Sequence, residues 1–173
     1  RYSLEIYPVI FFKKKPKGDH MFGFIKHLAI LVLCTATAFA GDAEEVKKTI
    51  EEDFAYLNKN KRSKNEYSKN GALEFWSSGG LLHKIDASGR PETYEEVNLS
   101  PKHIEVLVLA PGKAAAAFYY SEGRLKPEGS AGVDHYLTRV SQTFVKEGGK
   151  WKTRSSHWSP VKGGSGTSQT GKE

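Results

Sequence analysis

The 173-residue chain has a single cysteine, Cys34, and a single methionine, Met21. One thiol can form no intrachain disulfide and cannot build a thiolate zinc site. From Gly41 onward there is no cysteine at all, so whatever folds there is held by core packing alone. No apolar run reaches the ~20 residues that a membrane-spanning helix needs. The chain also lacks a G-x-S-x-G elbow, a P-loop and a dinucleotide fingerprint. Its one glycine-rich run, Gly163-Gly164-Ser165-Gly166, opens no helix and reads as linker. His83, His103 and His135 stand at no metal-ligand spacing, so no metal and no cofactor is expected.

Charge of one sign is also scarcer than it first looks. The chain carries 26 Lys+Arg against 20 Asp+Glu, a net of +6. Residues 1–40 hold six of the bases and two of the acids, which leaves 20 and 18 in the remainder, a net of +2. The basic cluster Lys59, Lys61, Arg62, Lys64 and Lys69 is interleaved with Asn and Ser, and reads as a solvated helix end and loop. A nucleic-acid partner is therefore not expected.

Residues 21–40 have the layout of a signal peptide. Lys26 and His27 form a short basic region, Leu28 to Thr37 an apolar run, and Ala38-Phe39-Ala40 an A-x-A cleavage site before Gly41. This predicts a periplasmic or secreted product with no stable membrane insertion after cleavage. Residues 1–20 precede Met21 and show neither helical nor strand periodicity, and are read as a non-native upstream extension, absent from the product. The Gly/Ser/Thr-rich stretch 163–173 reads as a disordered tail. One domain, 41–162, remains.

In that domain Val46, Ile50, Phe54 and Leu57 recur at helical spacing, with Asp42 as the expected N-cap and Glu45 three residues on. Strand signals begin at Leu73-Glu74-Phe75-Trp76 and continue at Leu81–Ile85. Pro91 predicts the first turn of a short helix through Val97. Two hairpins follow, Ile104–Leu109 with Ala114–Glu122, and Val133–Lys146 with the strand ending at Ser159. Gly123–Gly132 is the expected loop between them. The turn Glu147-Gly148-Gly149-Lys150 is a strong hairpin signal. An odd turn would place Arg139, Ser141, Thr143 and Val145 on one face with Trp151, Thr153, Ser155, His157 and Ser159. That face would grade from apolar to polar, as the wall of a pocket does. One long helix, short helices and five or six strands define an α+β class with a curved antiparallel sheet.

The run Tyr136-Leu-Thr-Arg139-Val-Ser141, then Lys146-Glu-Gly-Gly-Lys-Trp151-Lys, then His157-Trp-Ser159, resembles the closing hairpin of the nuclear transport factor 2-like superfamily. Within it the chain is similar to the SnoaL-like and ketosteroid-isomerase-like branch, and to the association domain of calcium/calmodulin-dependent kinase II. The resemblance implies a cone: a bent sheet wrapped by an N-terminal helix and short helices, around a central pocket, with a homodimer formed through the outer sheet face. It also implies a carboxylate base after the second helix. Here Asn70 or Gly71 stands at that place, and an amide cannot accept the proton.

Three readings follow. The first is a binding protein whose partly apolar pocket takes a small molecule, with Arg139, Ser141, His157, Trp76 and Tyr119 as ligand-binding candidates. The second is an isomerase- or cyclase-type enzyme using His157 with a carboxylate, Glu74 or Glu122. The third is an oligomerisation module.

Overall fold

The computed structural model describes residues 21–64, 66–89 and 91–161, with side chains from residue 41 onward. The upstream segment 1–20 and the tail 163–173 lie outside the described residues. The chain divides into two compact units, Arg1–Thr35 and Ala36–Glu173, and the second carries the sheet. Helix α1 (Met21–Asn60) includes the stretch read as a signal peptide, of which only the backbone is described. Among the described residues no helix is long and apolar enough to cross a membrane.

Six strands follow: β1 (Ala72–Phe75), β2 (His83–Ile85), β3 (Tyr94–Ala110), β4 (Ala114–Pro127), β5 (Val133–Glu147) and β6 (Lys150–Pro160). They form one sheet in the order β2-β1-β6-β5-β4-β3. Every pairing is antiparallel except β1 with β6, which is parallel. The sheet is curled and unclosed, and α1 lies on its inner face. Val46, Ile50 and Phe54 of α1 are buried there against Val97, Leu99, Ala115, Ala117, Tyr119, Leu125, Tyr136, Val140, Phe144 and Trp151. The 3.6-residue stripe of the helix and the two-residue alternation of the strands thus meet in one core.

Register shifts interrupt the ladders, and two of them decide which residues face inward. Lys102 pairs with Tyr120 and Glu105 with Phe118, so β3 spends one more residue than β4 across this interval. His103, at φ 52°, takes the left-handed conformation there. Before this bulge the inward residues of β3 are odd-numbered, Val97 and Leu99. After it Leu107 and Leu109 face outward. On β6, Phe144 pairs with Thr153 but Thr143 with Ser155, which leaves Arg154 as the extra residue. Bulges bend a strand and strengthen its twist. Gly123 supplies a third bend, at φ 147°, where a Cβ would sit 2.0 Å from the carbonyl oxygen of Asn98.

Helix and sheet are also joined by polar contacts at the β5–β6 turn. Lys146 donates to Asp42 Oδ1 at 3.3 Å and to Glu45 Oε2 at 2.5 Å, and Trp151 Nε1 donates to the same Glu45 oxygen at 2.9 Å. Asp42 Oδ2 accepts from the Gly112 backbone N–H at 2.6 Å. That bond, together with Lys146, holds the Asp42 carboxyl below its usual range.

Several sequence expectations are corrected. Asp42 lies inside α1 and is not an N-cap; its carboxylate serves the β3–β4 turn instead. The helix expected from Pro91 to Val97 is the start of β3, because Glu92 and Tyr94 find backbone partners in the loop after α1: Ser63 N–H donates to Glu92 O and Tyr94 N–H to Lys61 O. No short helix accompanies α1 among the described residues. The loop expected over Gly123–Gly132 is strand as far as Pro127. The predicted turn at Gly148-Gly149 is present, with φ 58° and 77°, the two positive values a two-residue type I′ turn requires.

Candidate functional site

The β6 bulge decides which residues share a face. Near the turn, Lys146 pairs with Trp151 and Val145 with Lys152, an even-looped register. Beyond Arg154 the register becomes the one expected from an odd turn: Ser141 with His157 and Arg139 with Ser159. Trp151 and Thr153 therefore face α1 together with Phe144. Ser155, His157 and Ser159 face away from it, together with Thr143, Ser141 and Arg139. The predicted single face running from Trp151 to His157 is split across the sheet.

The outer face holds most of the sequence candidates. Arg139 is exposed and its Nε donates to Ser159 Oγ at 2.8 Å. His157 is exposed, with its ring edge-on to Phe75 at 5.6 Å between centroids. Ser141, half-buried, stands between His157 and Phe118 in the ladder. Glu122 is exposed on the same face, four residues along β4 from Phe118 and one strand further from His157. It borders a shallow depression of about 300 Å³ with Asn98, Gly123, Arg124, Asp134 and His135. Large apolar side chains also lie exposed on this face: Leu107, Phe118, Tyr120 and Phe75.

The inner face holds Glu74 and Tyr119. His157 and Glu74 consequently lie on opposite sides of the sheet, as neighbouring pairs in one ladder: Phe75 pairs with His157 and Glu74 with Ser156. The acid–base pair considered for an enzyme is not assembled. Trp76 sits just after β1, stacked on His83 at 3.9 Å, and its Nε1 donates to Glu74 Oε2 at 3.1 Å.

A gradation from apolar to polar does exist, on the inner face and with other residues. At the turn end α1 and the sheet bury Val46, Ile50, Ala115, Phe144 and Trp151. Toward the other end the inward positions become Tyr119, Ser121, Tyr136, Thr138, Ser156 and Glu74, all buried. Glu74 is 7% exposed and is bonded only by neutral donors, Ser156 Oγ at 2.7 Å and Trp76 Nε1. Burial pushes its carboxyl up, against the pull of these two bonds. Asp53, on the same helix as Phe54, is half-buried, and burial raises it to about 6 despite Lys64 at 3.5 Å.

Four phenols complete this region. Tyr119 donates to Gln142 Oε1 at 2.7 Å, Tyr136 to Ser77 Oγ at 3.1 Å and Tyr94 to Glu92 Oε2 at 2.6 Å. Burial pushes Tyr67, Tyr94, Tyr119 and Tyr136 up, and nearby carboxylates add to it: Glu74, Glu92 and Asp53 act on Tyr67. Ser121 Oγ and Thr138 Oγ1, paired across β4 and β5, have no partner of good hydrogen-bond geometry among the described residues, although Thr138 lies close to the Tyr136 phenol. No group of three or more His, Cys, Asp or Glu among the described residues could hold a metal ion.

Sequence reasoning passed over Asp53, Ser121 and Thr138. Signals for them exist: Asp53 follows Ile50 by three residues and so falls on the apolar stripe, and Thr138 alternates with Tyr136 and Val140.

No family model and no curated protein matches the chain. Solved structures do. An NTF2-like protein of unknown function from Pseudomonas putida KT2440 superposes with a TM-score of 0.50 at 16% identity, over 69% of this chain and 87% of that one. An NTF2-like protein of unknown function from Prochlorococcus gives 0.45 at 18% identity, over 73% and 94%. With its single long helix against a curled, unclosed six-stranded sheet, the chain has the NTF2-like fold. The likeness does not single out the SnoaL-like branch or the kinase association domain. It carries no activity with it, since this fold hosts many functions.

Proposed function

We propose that this is an exported protein that binds a small, partly apolar molecule in the polar half of the space between α1 and the inner sheet face. The observation that carries the reading is the pair of buried hydroxyls on that face, Ser121, which meets no partner among the described residues, and Thr138, which meets at most the Tyr136 phenol. Buried polar groups are nearly always hydrogen-bonded, and an orphan hydroxyl costs about 1–3 kcal/mol unless something meets it. A protein selected only for stability would carry Ala and Val at these two positions. Export rests on Lys26, the apolar run and Ala38-Phe39-Ala40. Thermal-shift screening of the purified protein against a library of polar and apolar small molecules tests the binding. Compounds that raise the melting temperature of wild type, but not of the Ser121→Ala/Thr138→Val variant, are expected. A library in which no compound does so would end this reading. Expression in a bacterial host, with N-terminal sequencing of the product, tests export; cleavage after Ala40 is the expected result.

Exposed Leu107, Phe118, Tyr120 and Phe75 favour a second, compatible reading, a homodimer through the outer face. There His157 and Arg139 would be interface residues and not ligand residues. Exposed apolar patches rimmed by polar groups commonly mark interaction sites. Phe118→Asp is expected to turn a dimer into a monomer in light scattering. A wild-type protein that is already monomeric at high micromolar concentration would refute it.

A further inference from the structure

Among the described residues, the charges that act on Glu74, Tyr67 and Tyr119 are all carboxylates. Among the described residues, the groups that act on Glu74 are Ser156, Trp76 and Glu92, and none is a cation. The charges acting on Tyr119 are those of Asp53 and Glu74, and those acting on Tyr67 are Glu74, Glu92 and Asp53. The described lysine nearest this set, Lys64, is shared between Asp53 and Glu66, each at 3.5 Å. Aromatic rings cluster on the same inner face. Phe54 meets Tyr119 edge-on at 6.0 Å and Trp158 at 6.4 Å, and Tyr119 meets Trp158 edge-on at 6.2 Å. The buried hydroxyls of Ser121 and Thr138 add oxygen acceptors beside Tyr119 and Tyr136.

Each of these elements rejects an anion and suits a cation. An ammonium N–H needs oxygen acceptors, which the carboxyl, phenol and serine or threonine oxygens supply. Aromatic faces attract a cation through the ring quadrupole, more strongly once it is desolvated. An apolar body would extend toward Val140 and Phe54. We infer that the interior ligand is an organic amine bound as its cation, with Glu74 as counter-charge and Tyr67, Tyr119 and Trp158 as its aromatic surround. This rests on the reading that the interior takes a small molecule, and it names the chemical class.

The test compares three ligands of one shape: benzylammonium, benzyl alcohol and benzoate, titrated calorimetrically into wild type and Glu74→Gln. Wild type is expected to bind benzylammonium at least about tenfold more tightly than the other two, as the loss of a charged hydrogen bond implies. Glu74→Gln should lose that preference and keep its affinity for benzyl alcohol. The Gln oxygen still accepts from Trp76 Nε1 and its amide N–H can donate to Ser156 Oγ, and an unchanged melting temperature without ligand confirms that the variant folds. Benzoate or benzyl alcohol binding as tightly as benzylammonium would overturn the assignment and leave the binding reading standing. So would a Glu74→Gln variant that keeps the preference. If neither these ligands nor any library compound binds, both fall together.

Discussion

Replacing Asp53 with Asn should make the protein more stable at alkaline pH, although it removes a salt bridge. The Asp53 carboxyl rises from 3.8 to about 6 on folding, chiefly because it is taken out of water. At about 1.36 kcal/mol per pH unit, that rise costs the ionised form at most about 3 kcal/mol of folding stability. A third of the side chain remains exposed, at 32%, and solvent screening brings the cost to about 1–2 kcal/mol. The attraction of Lys64 at 3.5 Å is already contained in that net rise. The sign follows from linkage: the folded state holds the proton more tightly, so this contribution is fully present below pH ~3.8 and lost as the pH rises through about 6. Asp53→Asn should therefore match wild type near pH 3.5 and exceed it by about 1 kcal/mol at pH 8. For a domain of this size that is a shift of roughly 3–6 °C. Urea denaturation at pH 3.5, 5, 6.5 and 8, read by tryptophan fluorescence, gives the difference directly. A variant less stable than wild type at pH 8, or a difference that ignores pH, would refute the burial argument and show that the Lys64 pair dominates.

Further outcomes concern packing and backbone. Gly123→Ala places a Cβ against the Asn98 carbonyl at a positive φ; a loss of at least about 3 kcal/mol is expected in urea denaturation. Phe144→Ala empties a site that is 2% exposed, with an expected cost of about 3–5 kcal/mol and a lower denaturation midpoint. Glu45→Gln weakens the acceptor shared by Lys146 and Trp151. It should lower the melting temperature by a few degrees and blunt its dependence on salt, as screening of a partly exposed pair requires.

Much of this fold is legible in the residues because local and tertiary preferences agree. The stripe Val46, Ile50, Phe54 and Leu57 is helical and packs as one, and Gly148-Gly149 makes the turn it advertises. The faces of β6 were not legible, since nothing about Arg154 marks it as an extra residue. A bulge is fixed by the neighbouring strand, and one inserted residue exchanges the two sides of everything beyond it. Hence His157 and Arg139 read as a pocket wall but lie outside, whereas Ser156 and Trp158 turn inward. Pro91 suits a first helical turn as well as a strand entry, and the bonds with Lys61 and Ser63 that decide between them lie about 30 residues away. Glu74 was visible as a carboxylate, but that no cation among the described residues acts on it is a tertiary fact.

The strand order has a consequence for how the molecule comes into being. Among the described residues, β1 pairs with β2 and with β6, the strand furthest along the chain in this sheet, whereas β3, β4 and β5 follow one another as a meander. Short-range contacts close early and those across the whole domain close late. Residues 72–85 must therefore wait, unpaired on one side, until residues 150–160 arrive between them and β5. The carboxyl of Glu74 leaves water only at that closing step, when Ser156 comes to meet it. Arrival of β6 and closure of the interior are one event, and a chain shortened before Lys150 would retain the β3–β5 meander with Glu74 still in water.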